Sequence, residues 1–370
     1  MKITCLRQTL VDAVLNVQKA VSAKSCLTAL EGVLIKTKEN SISLCGYDLE
    51  LGITTEIPAT IDVPGEIVIN AKLLADIIRK APAETVSINV DEKLIATITS
   101  APAEFSLVGI SPEDYPEMPR LSDAEHMSID CLTLKGMIRQ TLFATSETDV
   151  KPINTGTLFE VSENELKLVS VDGYRLALRK EPVQSNKKMK FVVPGKTLSE
   201  ILKLLPDAED TKIEISIGKK HIIFYIENYC VISRLLEGDF LDYNAAIPAS
   251  HATEILVNTK NMIESIDRVS LVVTDRLKSP IRCLFADNYA KISCITTIGK
   301  ANDELLVNMQ GDSLEIGFNN KYLIDALKNT ECDEVKIQLN GSLSPMKIVP
   351  ITGDSFVFLV LPVRLKASEE

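Results

Sequence analysis

The sequence has no tryptophan, only three histidines and no cysteine pair at C-x-x-C spacing. The eight cysteines, at 5, 26, 45, 131, 230, 283, 294 and 332, have no histidine at zinc-ligand spacing. That argues against a metal site and reads them as reduced, mostly buried, small apolar residues. His126, His221 and His251 sit among polar and turn-forming neighbours and read as exposed loop positions. G-x-S-x-G, H-E-x-x-H, a P-loop and a strand-borne G-x-G-x-x-G are all missing, so the usual hydrolase, zincin and nucleotide-binding signatures are absent. With 51 acidic residues, carboxylate pairs arise by chance and mark no acid–base centre. The expectation is a non-enzymatic protein with no cofactor. No apolar run approaches a membrane span and no basic-then-apolar leader is present, which predicts a cytoplasmic protein with no membrane partner. Gly/Ser-rich linkers and low-complexity tracts are also missing, so domains should be closely coupled.

What the chain does contain is a repeat. "KLLADIIR" (72–79) reads as an amphipathic helix, with Leu73–Leu74 and Ile77–Ile78 as its apolar face and Lys72, Asp76 and Arg79 opposite. The frame K-x-L-x-[D/E]-x-[I/L]-[K/R] returns at Lys196–Lys203 and Lys321–Lys328, at intervals of 124 and 125 residues. A second helix precedes it each time: "QTLVDAVLNVQKAV", "KGMIRQTLFATS" and "KNMIESIDRVSLVV". Between and after the helices lie alternating runs with turn signals, such as "GTLFEVSENELKLVSVDGYRLALRK" and "KIEISIGKKHIIFYIENYCVISRLL". Each third therefore reads helix, strands, helix, strands, an α+β domain. The joints "SPEDYPEMPRLSDAEHM" and "GDFLDYNAAIPASHATE" share Asp-Tyr followed by Pro. They place the domains at 1–122, 123–249 and 250–370.

A net charge of −11 argues against a protein held on nucleic acid by phosphate contacts alone. A three-repeat protein-interaction scaffold without DNA fits that charge but leaves the repeated Lys/Arg faces unexplained. A hydrolase or transferase lacking any familiar motif is the other alternative, and no cluster singles out its site.

Four stretches carry a resemblance: "PEDYPEMP" (112–119), "SVDGYRLALR" (170–179), "LLEGDFLDYNAAIP" (235–248) and "LVLPVRL" (359–365). With the three-fold repeat, they make the chain resemble the bacterial DNA polymerase III β-subunit family of sliding clamps over its whole length. The resemblance implies three clamp domains per chain, and two chains joined head to tail into a closed ring of six. It implies that the helices line a hole around double-stranded DNA, held without sequence preference, and that the sheets form the outer shell. A weakly positive lining inside an acidic exterior would reconcile encirclement with the net charge. The lining candidates are Lys24, Lys72, Arg79, Lys80, Lys135, Arg139, Lys196, Lys203, Lys260, Lys321 and Lys328; taken from the residues alone, they also suit solvated faces of surface helices.

The resemblance further implies a cleft between the second and third domains. It would bind the replicative polymerase subunit, the clamp loader and repair proteins through short hydrophobic peptide motifs. Its walls would be Asn154, Thr155, Val171, Gly173, Tyr174, Arg175, Leu176, Leu241, Ala246, Leu359, Val360, Leu361, Pro362, Val363, Arg364 and Leu365. Pro362, which donates no ladder hydrogen bond, would suit a sheet edge. Asn154, Val171, Tyr174, Leu241 and Ala245 stand where the family usually has Leu, Thr, His, Pro and a basic residue, which points to a peptide preference of this chain's own. The homodimer joint would bring Phe105 and Leu107 against Leu271 and Val272.

Overall fold

The computed structural model describes residues 1–148, 150–184, 187–274 and 279–365. Among the described residues, the first third carries strands β1 (Lys2–Leu6), β2 (Gly32–Thr37), β3 (Ser41–Tyr47), β4 (Leu51–Pro58), β5 (Thr60–Val63), β6 (Glu66–Asn70), β7 (Thr85–Val90), β8 (Ile95–Ser100) and β9 (Ala103–Val108). Its helices are α1 (Arg7–Val17) and α2 (Ala71–Lys80). The central third has β10 (Glu125–Asp130), α3 (Cys131–Leu142), β11 (Gly156–Ser162), β12 (Glu165–Val171), β13 (Arg175–Pro182), β14 (Met189–Pro194), α4 (Gly195–Leu204), β15 (Lys212–Ile217), β16 (His221–Ile226), β17 (Tyr229–Arg234) and the short α5 (Tyr243–Ala246). The last third has β18 (Thr253–Asn258), α6 (Thr259–Ser270), β19 (Ile281–Ala286), β20 (Tyr289–Thr296), β21 (Gly299–Leu306), β22 (Asn308–Gln310), β23 (Leu314–Phe318), α7 (Asn320–Lys328), β24 (Glu334–Leu339), β25 (Met346–Val349) and β26 (Phe356–Val360). The chain is thus an α+β protein of three similar parts.

Two compact units contain these elements: Met1–Leu132 with Ser199–Leu235, and Thr133–Leu198 with Leu236–Glu370. The first holds a five-stranded sheet, β5-β1-β7-β8-β9, and an eight-stranded sheet, β10-β15-β16-β17-β4-β3-β2-β6. The second holds a nine-stranded sheet, β14-β11-β12-β13-β26-β25-β24-β18-β22, and a four-stranded sheet, β21-β20-β19-β23. The central third therefore lends strands to both. In the first unit β17 pairs antiparallel with β4, Val231 opposite Ile53. In the second, β13 pairs antiparallel with β26, Ala177 opposite Phe358. Joints made of backbone ladders explain why no flexible linker is needed.

Helices α2, α6 and α7 begin where the sequence supplies a cap. Asn70 Oδ1 accepts from Leu73 N at 3.1 Å, Asn258 Oδ1 from Asn261 N at 3.0 Å and Asn319 Oδ1 from Lys321 N at 2.9 Å. Helices α2, α4, α6 and α7 end on cations, Arg79 and Lys80, Lys203, Arg268 and Lys328, where the helix dipole favours positive charge. In the first unit α1 packs on β4 and against α2; in the second α6 packs on β21 and against α7. Met262, Ile266 and Val269 of α6 meet Phe285, Phe318, Leu323 and Phe358 in one buried core.

Several expectations change. Each third opens on a strand, β1, β10 or β18, before its first helix. The signal was short alternating runs such as "EILVN", which the polar joints around them obscured. In α2 the buried stripe is Ala71, Leu74, Ala75 and Ile78, while Leu73 is 51% exposed. Positions 71, 74, 75 and 78 follow the i, i+3, i+4, i+7 rule, and Leu73 lies off that face. His126 and His221 are strand residues of β10 and β16, with His126 Nδ1 2.9 Å from Ser216 Oγ; of the three, His251 alone lies outside a helix or strand. Cys5, Cys45, Cys131, Cys283 and Cys294 are buried and free, Cys230 and Cys332 are half-buried, and Cys26 is exposed. Burial pushes the Cys5 and Cys45 thiols up to about 11 and Cys283 to about 12, away from nucleophilic chemistry. Among the described residues no His/Cys/Asp/Glu group is placed to hold a metal ion, and no helix is long and apolar enough to cross a membrane.

The approach of α1 to β3 depends on Gly46, where an added Cβ would lie 2.3 Å from Val17 O and 3.0 Å from Val17 Cγ1. Gly46→Ala is expected to cost about 1–3 kcal/mol of stability by forcing helix and sheet apart, read as an earlier midpoint in urea unfolding followed by circular dichroism.

Candidate functional site: a peptide cleft and cationic helix faces

Strand alternation builds the cleft floor. Leu176 of β13 lies opposite Leu359 of β26, and both point to the face where Leu158, Val169, Val171, Leu178, Val192 and Tyr243 form a buried apolar cluster. Ala177, Phe358 and Val360 point the other way, into the core of the last third. Val360 is therefore core and not cleft wall. The expectation for Pro362 also changes: β26 lies between β13 and β25, so Pro362 follows a central strand and lies past the end of its ladder. Beyond that end Leu361 N donates to Tyr174 O and Val363 N to Gly317 O, each at 2.8 Å. Leu361, Val363 and Arg364 are exposed; Pro362 and Leu365 are half-buried.

The turn before β13 sets the other wall. Asp172 Oδ1 accepts from Tyr174 N at 2.9 Å and Arg175 N at 3.0 Å, an Asx turn. Gly173 takes φ +91 there, a left-handed conformation that glycine adopts without strain. Tyr174 is left exposed and stacks on Tyr322 of α7, ring centroids 5.8 Å apart. Arg175 is locked. Its side chain is 9% exposed, Nε donates to Asp172 Oδ2 at 2.8 Å and Nη1 to Asp325 Oδ2 at 2.5 Å. Its guanidinium lies 4.7 Å from the Tyr322 ring centroid and 5.6 Å from that of Phe143. Burial, and then the Asp172 charge, push the Tyr322 phenol above its ordinary value.

Asn154 and Thr155 are half-buried at the end of a 3-10 turn, and it is their neighbour Ile153 that packs on the apolar cluster. Leu241 and Ala246 are exposed, and Phe240 and Ile247 beside them pack inward. Tyr322, Phe143, Asp325, Ile153, Phe240 and Ile247 were not legible as site residues. Tyr322 and Asp325 carried a signal as members of the repeated helix frame, Tyr322 as an aromatic where the other copies have Leu73 and Thr197, and Phe240 and Ile247 lie in the stretch 235–248.

The first unit has a counterpart of this surface, and it is filled. Gly52 lies 124 residues before Leu176, and a Cβ there would meet Met118 Sδ at 2.5 Å and Ile232 Cγ2 at 2.8 Å. Met118 occupies the space that Leu176 takes in the second unit.

The lining candidates lie on helix faces, except Lys24, which is exposed between two 3-10 turns. Lys72, Arg79 and Lys80 of α2, Arg139 of α3, Lys196 and Lys203 of α4, Lys260 of α6, and Lys321 and Lys328 of α7 are exposed; Lys135 is half-buried. Several are held by carboxylates: Arg79 by Asp76 at 3.6 Å, Arg139 by Glu331 at 2.7 Å, Lys203 by Glu200 at 2.7 Å and Lys260 by Glu264 at 3.9 Å. Glu200 also lies 3.8 Å from Lys19.

Arg175 is the residue whose loss should be felt most. Arg175→Met would strip two carboxylates of a nearly buried counter-charge and cost about 3 kcal/mol. Asp325→Asn, at a more exposed carboxylate, should cost at most about 1 kcal/mol. Urea unfolding of the two variants checks the order.

Comparison with known proteins gives the family. The DNA polymerase III beta subunit family matches the chain in three parts: its N-terminal domain over residues 1–119, central domain over 128–242 and C-terminal domain over 244–364. The beta sliding clamp of Bacillus subtilis is 34% identical, covering 98% of this chain and 100% of that protein. That of Staphylococcus aureus is 33% identical, covering 98% and 99%. The crystal structure of the Bacillus subtilis DNA polymerase sliding clamp superposes with a TM-score of 0.95 at 34% identity, over 99% of this chain and 100% of that one. The DNA polymerase III subunit beta of Pseudomonas aeruginosa gives 0.92 at 27% identity, over 99% and 100%. The chain belongs to the DNA polymerase III beta subunit family, the sliding clamps, which are non-catalytic processivity subunits of that polymerase.

Proposed function

We propose that two copies of this chain close into a ring around duplex DNA, that the cationic helix faces line it, and that the cleft beside β26 tethers the polymerase, the clamp loader and repair proteins by short hydrophobic peptides. Domain boundaries near 122 and 249 belong to the same reading, as does a place in the cytoplasm. The observation that carries it is the pattern of sheet edges. The third strand of the first sheet set in each third pairs with the last strand of the next third: β4 with β17, and β13 with β26. The same rule leaves β21 and β9, and both are edge strands of their sheets. Pairing β21 of one copy with β9 of the other completes the series twice and closes a ring.

The repeat supplies a register. Ile53 and Ala177 are 124 apart and the next equal step is Ala301. Phe105, Val231 and Phe358 each lie five residues before a backbone donor to the preceding sheet: Ile110 N to Val68 O, Leu236 N to Val192 O and Val363 N to Gly317 O. Since Ile53 faces Val231 and Ala177 faces Phe358, Phe105 of one copy would face Ala301 of the other. Leu107 would face Gly299, beside Val272, whose Cγ1 is 3.7 Å from the Cβ position of that glycine. Val108 would face Ile298. Val108 and Leu271 are each 82% exposed and Ile298 63% exposed in the single chain, so the joint would cover the apolar groups left open. Val108 and Ile298 extend the interface read from the sequence.

Leu271→Asp combined with Val272→Asp should give a folded monomer near the 40.7 kDa chain mass by light scattering on a sizing column, where the parent should elute at twice that mass; a doubly substituted dimer would refute the joint. Retention on DNA tests encirclement. The ring should stay on closed circular duplex after loading and be lost from the same DNA once linearised, whereas an ordinary phosphate binder would not distinguish the two.

A further inference from the structure

Beyond the cleft lies a second opening. Strand β14 forms one edge of the nine-stranded sheet and pairs with β11 alone. Leu236 N donates to Val192 O at 2.9 Å across that edge, so the backbone groups of residue 192 point outward. Strand alternation then directs those of Lys190 outward too. At the matching edge of the first unit, Val68 and Ile110 exchange reciprocal bonds of 3.2 and 2.9 Å. At β14 the chain leaves the edge after Leu236, through Gly238 at φ +131, and runs out to α5.

The detour leaves a cavity of about 440 Å³ beside the edge, floored by Leu158, Phe191, Val192 and Phe240 and rimmed by Asp239 and Asp242. Its size is that of a site for one or two large side chains. Lys190 does not neutralise the rim, because its ammonium lies 2.9 Å from Glu160, which also accepts from Tyr243 Oη at 2.5 Å. Among the described residues Asp239 and Asp242 form no ion pair and both are exposed. Leu241, which the sequence reading places on the cleft wall, also lines this cavity.

We propose that the partner polypeptide anchored in the cleft continues onto β14 as an added antiparallel strand, placing one large apolar side chain in this cavity and basic residues over Asp239 and Asp242. The inference rests on the peptide-cleft reading. An open edge supplies main-chain hydrogen bonds, the cavity supplies side-chain selection, and the rim selects positive charge.

Three labelled peptides test it by fluorescence anisotropy against the full-length protein. One is a short peptide with leucine and phenylalanine anchors; the others carry the extension Val-Lys-Phe-Arg at its N- or C-terminus. One extended peptide should bind at least tenfold tighter than the short one, and the gain should shrink with salt. Lys190→Pro removes an outward-facing N–H without touching the β11 ladder. It should abolish the gain and leave the short peptide's Kd unchanged, and Asp239→Asn with Asp242→Asn should do the same. Equal affinity for short and extended peptides overturns the proposal. So does a gain that survives both variants, or an equal gain from an extension with Glu in place of Lys and Arg. If the short peptide fails to bind while an extended one binds and is lost in both variants, the cleft reading falls and the edge site stands. If none binds, both fall.

Discussion

A sheet edge carries N–H and C=O groups that must find partners, and this protein is organised by how that need is met. At the two joints inside the chain the need is met by the next third: β17 completes β4, and β26 completes β13. These ladders make units that cut across the three repeats, with the central third divided between them. They also place the candidate cleft, because Leu176 and Leu359 become neighbours only when β13 and β26 pair. Among the remaining sheet edges, β9 and β21 are the two that the same rule would join through a second copy.

The electrostatics follow a comparable economy. A chain of net charge −11 can still surround a polyanion if its cations are gathered on helix faces and held at moderate strength. Carboxylates on or beside those faces do the moderating: Asp76 on Arg79, Glu200 on Lys203, Glu264 on Lys260 and Glu331 on Arg139. Each phosphate fully neutralised adds affinity and salt dependence, and both oppose sliding. In the third copy of the helix frame the anion has another partner. Asp325 holds Arg175 against the Tyr322 ring, which stacks on Tyr174, so the position that pairs with a cation of its own helix in two copies reaches to β13 in the third.

Much of this was legible beforehand. The three-fold repeat, the helix pairs, the strand-rich filling and the apolar ends of β13 and β26 follow from periodicity and from resemblance. What escaped has physical reasons. The opening strands β1, β10 and β18 are only five or six residues long, and β10 and β18 follow polar joints. Leu73 looked buried because a single helix gives two adjacent apolar residues equal standing until a sheet selects one face. Val360 looked like cleft wall because alternation shows that neighbours diverge without showing which side is core. Tyr322, Phe143 and Asp325 lie far from Arg175 in sequence, and no local pattern announces that they surround it.

The sequence by itself determined the repeat, the paired helices with the strands between and after them, and the family, since those reside in spacing and side-chain type. Tertiary structure decided which edges meet, that Met118 fills in one joint the space that Leu176 fills in the other, and where each carboxylate goes. Those depend on strand pairings between residues more than a hundred positions apart, such as Ile53 with Val231 and Ala177 with Phe358, whose energy comes from completing a ladder that local sequence cannot specify.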